Sequence, residues 1–156
     1  MRYASCTAGR WARSWNLKIV NSEPPMIAEI AARFPNRPPS VIYAFGDTIY
    51  TPSAQFIPPA IIAHEAKHGA RQMDIGGTWV WWRMYLENDE FRYREELVAH
   101  AVEYQERFAL NPDRNWAPKL LLMTADRLLA PFYEYPKGMK TQAEAMKDLK
   151  REIRHL

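Results

Sequence analysis

The run His64-Glu65-Ala66-Lys67-His68 lies between two sets of helix breakers, Pro58-Pro59 and Gly76-Gly77. Proline is accepted in the first turn of a helix and glycine favours its end. The spacing therefore predicts a helix over about Pro59 to Asp74, entered by the apolar Ile61, Ile62 and Ala63. On a helix, residues four apart share one face, so His64 and His68 project together, one turn apart. Two neutral imidazoles at that separation can hold one Zn²⁺ in a tetrahedral site. Glu65 stands beside the first of them, where its carboxylate can take a proton from a metal-activated water. The chain has 4 His in 156 residues, and chance supplies this pattern about once in a hundred such chains. Two solvated histidines on a charged helix are the competing reading, and the flanking residues favour the first.

A catalytic zinc takes three protein ligands and keeps one position open. His100, His155, Cys6 and the downstream acids are the available donors. Residues Phe91 to Phe108 read as a second helix, with Phe91, Arg94, Val98, Ala101, Gln105 and Phe108 on one side at offsets of three and four. That helix carries Glu95 and Glu96, then Ala99 and His100. With the stripe centred near Val98 and Ala101, Glu95 lies at its edge and Glu96 nearer the far side. Periodicity does not choose between them.

The HExxH run followed by Glu96-Leu97-Val98-Ala99 resembles the gluzincin metallopeptidases. In that group the helix after HExxH donates a Glu, often within E-x-x-A-D. The resemblance implies His64, His68 and Glu96 as zinc ligands and Glu65 as general base. The pattern departs at its last position, where His100 stands in place of the Asp that normally steadies a zinc ligand. His100 then reads either as a support or transition-state donor for the site or as a surface histidine. Glu103 continues the same face as a weaker candidate. Tyr93 and Tyr104 could donate to an oxyanion, but tyrosine there reads first as packing. The order HEAKHGARQ, Gly-Gly, WVWWRMYL, FRYREELVAH is also similar to small phage and bacterial zincin-like proteins, over Ile62 to Gln105.

Length and composition fit one domain over residues 1–156 with a real core, since 47% of residues are hydrophobic and 25% charged. A net charge of +3 is dispersed along the chain. Nucleic-acid binding would call for a basic stripe and a reading element, and neither is visible. One cysteine excludes an internal disulfide framework. No apolar stretch reaches bilayer-spanning length. The N-terminal stretch lacks the continuous apolar region of a secretion signal, so the expected setting is the cytoplasm or a phage particle.

Along the chain, residues 1–16 read as a loose arm and residues 17–20 as a short strand. Met26 to Phe34 carries a helical face of Ile27, Ile30, Ala31 and Phe34. Val41 to Phe45 and Thr48 to Tyr50 flank the Gly46-Asp47 turn of a β-hairpin. In zincins such a hairpin offers an edge along which an extended peptide can lie; an ordinary ribbon packed on helices is an equal reading. The dense tryptophans of residues 79–85 read as core rather than as a ligand cage. Lys119 to Leu129 reads as an apolar helix. Thr141 to Glu144 forms a capping box that opens a last amphipathic helix within residues 137–156. That helix is expected to fold back on the domain, with docking on a protein partner as the alternative.

The sequence thus predicts a mainly helical α+β fold, a minimal zincin-like domain with a short hairpin before the HExxH helix. The expected chemistry is zinc-assisted hydrolysis of an amide bond in a protein, peptide or peptidoglycan. A non-catalytic phage virion component on the same scaffold is the second reading, and nucleic-acid binding the third.

Overall fold

The structure is a computed structural model and describes residues 17–156. The expected arm at residues 1–16 and Cys6 lie outside those residues. Three short strands, β1 (Lys18–Val20), β2 (Tyr43–Phe45) and β3 (Thr48–Tyr50), form one sheet in the order β1-β3-β2. β1 runs parallel to β3 with Ile19 opposite Ile49, and β2 runs antiparallel with Ala44 opposite Ile49. The hairpin turns at Gly46 and Asp47, and Gly46 takes the positive φ of 63° that such a turn requires.

Six helices make up most of the rest: α1 (Ile27–Arg33), α2 (Pro59–Asp74), α3 (Thr78–Glu87), α4 (Asp89–Leu110), α5 (Ala117–Leu128) and α6 (Gln142–Ile153). The mainly helical α+β fold is as expected from the sequence. α2 has Pro59 in its first turn and spans the predicted residues. α4 starts where the Asn88 side chain accepts the Phe91 N–H, with Asp89 and Glu90 on the positive end of the helix dipole. At α6 the capping box is complete: Thr141 accepts the Glu144 N–H, and Glu144 accepts the Thr141 N–H.

α4 is the central wall. One side of it, Tyr93, Leu97 and Ala101, packs with Leu121, Ala125 and Leu128 of α5 and Ala145 and Leu149 of α6. α6 therefore folds back on the domain and spends its apolar face there. A second cluster joins Ile30 and Phe34 to Tyr43, Trp81, Trp82 and Tyr85. Trp81 and Trp82 are core as expected, whereas Trp79 is 58% exposed.

The stripe assigned to α4 from periodicity needs correction. Arg94 is exposed and Val98 only half-buried, while Arg92, Glu95, Glu96, Ala99, His100 and Glu103 are buried. α4 is covered on two sides, and the side facing α2 and α3 is lined with charged and polar groups. Hydropathy sees only the apolar side, so an average over the helix points in the wrong direction.

Candidate metal centre

α2 and α4 lie against one another, and Ala63 and Ala66 of α2 and Ala99 of α4 are all buried. This brings the two motif helices close enough for their long polar side chains to meet. His64 Nε2 and His68 Nε2 are 3.2 Å apart. Glu96 reaches across with Oε2 3.5 Å from His64 Nε2 and Oε1 3.3 Å from His68 Nε2. Tetrahedral zinc with bonds of about 2.0–2.2 Å requires ligand atoms about 3.3–3.5 Å apart. The donor set and its spacing fit that ion. Among the described residues these three side chains bring their donor atoms within 4.8 Å of one another.

Glu95 and Glu96 part ways. Glu95 faces Arg71, with Nη2 to Oε1 at 2.7 Å and Nε to Oε2 at 3.1 Å, and accepts the Trp81 indole N–H at 2.9 Å. It is an anchor between α2, α3 and α4. Glu96 alone enters the histidine pair.

His64, His100 and Glu103 form a second grouping. Glu103 Oε2 lies 3.1 Å from His100 Nδ1 and 3.4 Å from His64 Nδ1. Its other oxygen takes Arg107 at 2.7 Å and also contacts Arg127. Two guanidinium groups already balance this carboxylate, so a divalent cation beside it is disfavoured. Glu103 instead bonds His100 and stands within charge-pairing reach of His64, whose Nδ1 has no hydrogen-bond partner. The resemblance places an Asp at position 100. Here the carboxylate of Glu103 stands one turn further along α4, and His100 is buried beside it rather than a surface residue.

Two phenols bracket Glu96. Tyr85 Oη donates to Glu96 Oε1 and Tyr133 Oη donates to Glu96 Oε2, each at 2.6 Å. Tyr133 Oη is also 3.3 Å from His100 Nε2. Tyr133 closes the short 3₁₀ turn Pro131–Tyr133. Both tyrosines are held through their backbones by Arg92, which is 0% exposed: Nη1 donates to Tyr85 O at 2.7 Å and Nε to Tyr133 O at 3.1 Å. Sequence reasoning missed Tyr133, Arg92 and the site role of Tyr85, since no motif marks them. The tyrosines it did weigh lie elsewhere. Tyr93 donates to Asp148 and Tyr104 stacks on Phe108. His155, near the end of the chain, is exposed and takes no part.

The electrostatics follow from burial. Burial pushes the Glu65 carboxyl up to about 7, with Glu96 and Glu103 adding and the two motif histidines opposing. Burial alone would lower His64, but Glu103 and Glu96 outweigh it and push it up to about 10. Burial likewise works against ionised Glu96, yet His68 and His64 hold it well below the usual carboxylate range. For His100 burial prevails and its pKa is lowered. Its Nδ1 faces Glu103 and its Nε2 faces the Tyr133 hydroxyl, whose one proton goes to Glu96.

His64, Glu65, His68, Glu96, His100 and Tyr133 all line one cavity of about 310 Å³, whose remaining wall is largely apolar. That is the small end of the range for ligand pockets. Comparison with protein-family models, with curated proteins and with solved structures returns no match.

Proposed function

We propose that the protein is a zinc-dependent hydrolase, most simply a metallopeptidase that cleaves an amide bond. The observation that carries this is the convergence of His64, His68 and Glu96 at tetrahedral spacing, with buried Glu65 lining the same cavity. His64, His68 and Glu96 would hold the ion. Zinc bound there lowers the pKa of a water and polarises the substrate carbonyl. Glu65, buried and lining the same cavity, would accept a proton from the attacking water and return it to the leaving amine. Tyr133, at the cavity wall, can turn its hydroxyl from Glu96 towards a developing oxyanion. The apolar wall excludes water from the reacting groups.

A site serving structure alone would close its ion with a fourth protein ligand. The three-ligand set beside a cavity favours chemistry over a purely structural virion role. The cytoplasm or a phage particle remains the proposed setting on the sequence resemblance; among the described residues no helix is long and apolar enough to cross a membrane.

The test is Glu65→Gln. Hydrolysis of a casein or mixed-peptide substrate should disappear while zinc content stays at that of the wild type. Retained turnover in that variant would end the proposed mechanism.

A further inference from the structure

In a two-residue hairpin, Phe45 and Thr48 form the hydrogen-bonded pair, so Ala44 and Gly46 turn their peptide groups to the outer edge of β2. That edge is already occupied at both residues. The Gln72 side chain, 0% exposed, donates from Nε2 to Ala44 O at 2.9 Å and accepts the Gly46 N–H on Oε1 at 2.7 Å. Trp82 Nε1 takes the second lone pair of Ala44 O at 3.1 Å. Gln72 lies one turn beyond His68 on the same side of α2, so its amide stands in for a neighbouring strand at the end of the ligand row. A peptide cannot add to this edge through Ala44 O and Gly46 N–H.

The cavity instead follows the segment before β2. Arg37, Pro38, Val41 and Ile42 line it together with the histidines, and Phe34 and Ile61 add to its apolar lining. Arg37 and Arg127 both line the cavity, and Arg127 is paired with Glu103. The hydrogen bonds of Arg37 go to neutral groups, the Tyr43 hydroxyl at 3.1 Å and the Phe34 carbonyl at 3.3 Å. A guanidinium is always charged and matches a carboxylate with two parallel hydrogen bonds.

We propose that the cavity takes the carboxyl end of a peptide, with its terminal carboxylate on Arg37 and a bulky apolar last side chain against Phe34 and Val41, rather than the middle of an extended strand. The choice of a peptide rests on the hydrolase reading above; the choice of its end rests on the occupied edge and on Arg37.

Binding of acetyl-Gly-Gly-Phe as free acid, as C-terminal amide, and extended by two further glycines can be compared by calorimetry on zinc-loaded Glu65→Gln protein, which does not turn substrate over. Loss of one charged hydrogen-bonding partner predicts that the amide and the extended peptide bind about ten- to hundredfold more weakly than the acid. Arg37→Gln should remove the preference, and Arg37→Lys should keep part of it, which separates a charge effect from a folding defect. Equal binding of all three peptides, or of none, by zinc-loaded protein overturns this inference and leaves the metal site standing. A protein that holds no zinc yet prefers the acid would instead remove the hydrolase reading and keep this one.

Discussion

Tyr133 donates its hydroxyl to Glu96 at 2.6 Å although the two residues are 37 positions apart. The bond ties the 3₁₀ turn to the proposed third ligand and places a phenol at the cavity wall. Tyr133→Phe removes that donor and little volume. Loss of such an outer hydrogen bond should cost about 10–100-fold in zinc affinity or turnover. Competition with a chromophoric chelator and steady-state kinetics would measure each. A variant equal to wild type in both would make Tyr133 a packing residue.

Neighbouring carboxylates should separate cleanly. Wild-type protein is expected to hold about one zinc per chain, and His64→Ala and Glu96→Ala to hold none. Glu95→Ala should keep its zinc but lose stability, because Arg71 and Trp81 are left without their acceptor. The cost is about 1–3 kcal/mol, readable by urea unfolding beside elemental analysis. Zinc lost with Glu95 and kept without Glu96 would reverse the assignment.

Arg92 should act on the site without touching the ion. Arg92→Met leaves the Tyr85 and Tyr133 carbonyls unpaired in the interior, at about 1–3 kcal/mol for each orphaned group. The variant should unfold at lower denaturant and bind zinc more weakly than its stability loss alone explains. Unchanged stability would mean that both carbonyls find other donors.

Gly69 carries a steric constraint. A Cβ there would lie 2.5 Å from the Gly46 carbonyl oxygen, a backbone atom with no side-chain freedom. Gly69→Ala should therefore push the hairpin from α2 and destabilise by about 1–3 kcal/mol. Thermal melting checks this, and an unchanged Tm would show that the hairpin yields freely.

Metal-free protein should lose stability as pH rises. His64 has a folded-state pKa raised from 6.5 to about 10, so its contribution is full below 6.5 and disappears as pH climbs through 10. Glu65, raised from 4.5 to about 7, works in the same direction over the lower part of the range. His100 is shifted downward, so both its states are neutral above that window and it does not oppose the trend. Melting curves of chelator-treated protein above pH 6.5 should thus show a falling Tm. Zinc needs the neutral imidazole, so apparent zinc affinity should rise with pH over the same range. A Tm that climbs between pH 7 and 10 would contradict the His64 shift.

The sequence by itself determined the local pieces. Proline and glycine set the ends of α2, the HExxH spacing put His64 and His68 on one face, Gly46-Asp47 set the hairpin, and Thr141 with Glu144 opened α6. Each depends on contacts within a few residues, which is why it can be read along the chain. Only tertiary structure decided what faces what across the elements. It sent Glu96 to the histidines and Glu95 to Arg71, set Glu103 against His100, and brought Tyr133 to the site from another element. It also filled the strand edge with Gln72. The polar face of α4 was hidden from hydropathy because it is buried against other polar groups. Burial of that kind is settled by partners distant in sequence, through hydrogen bonds and charge pairs that no local period records.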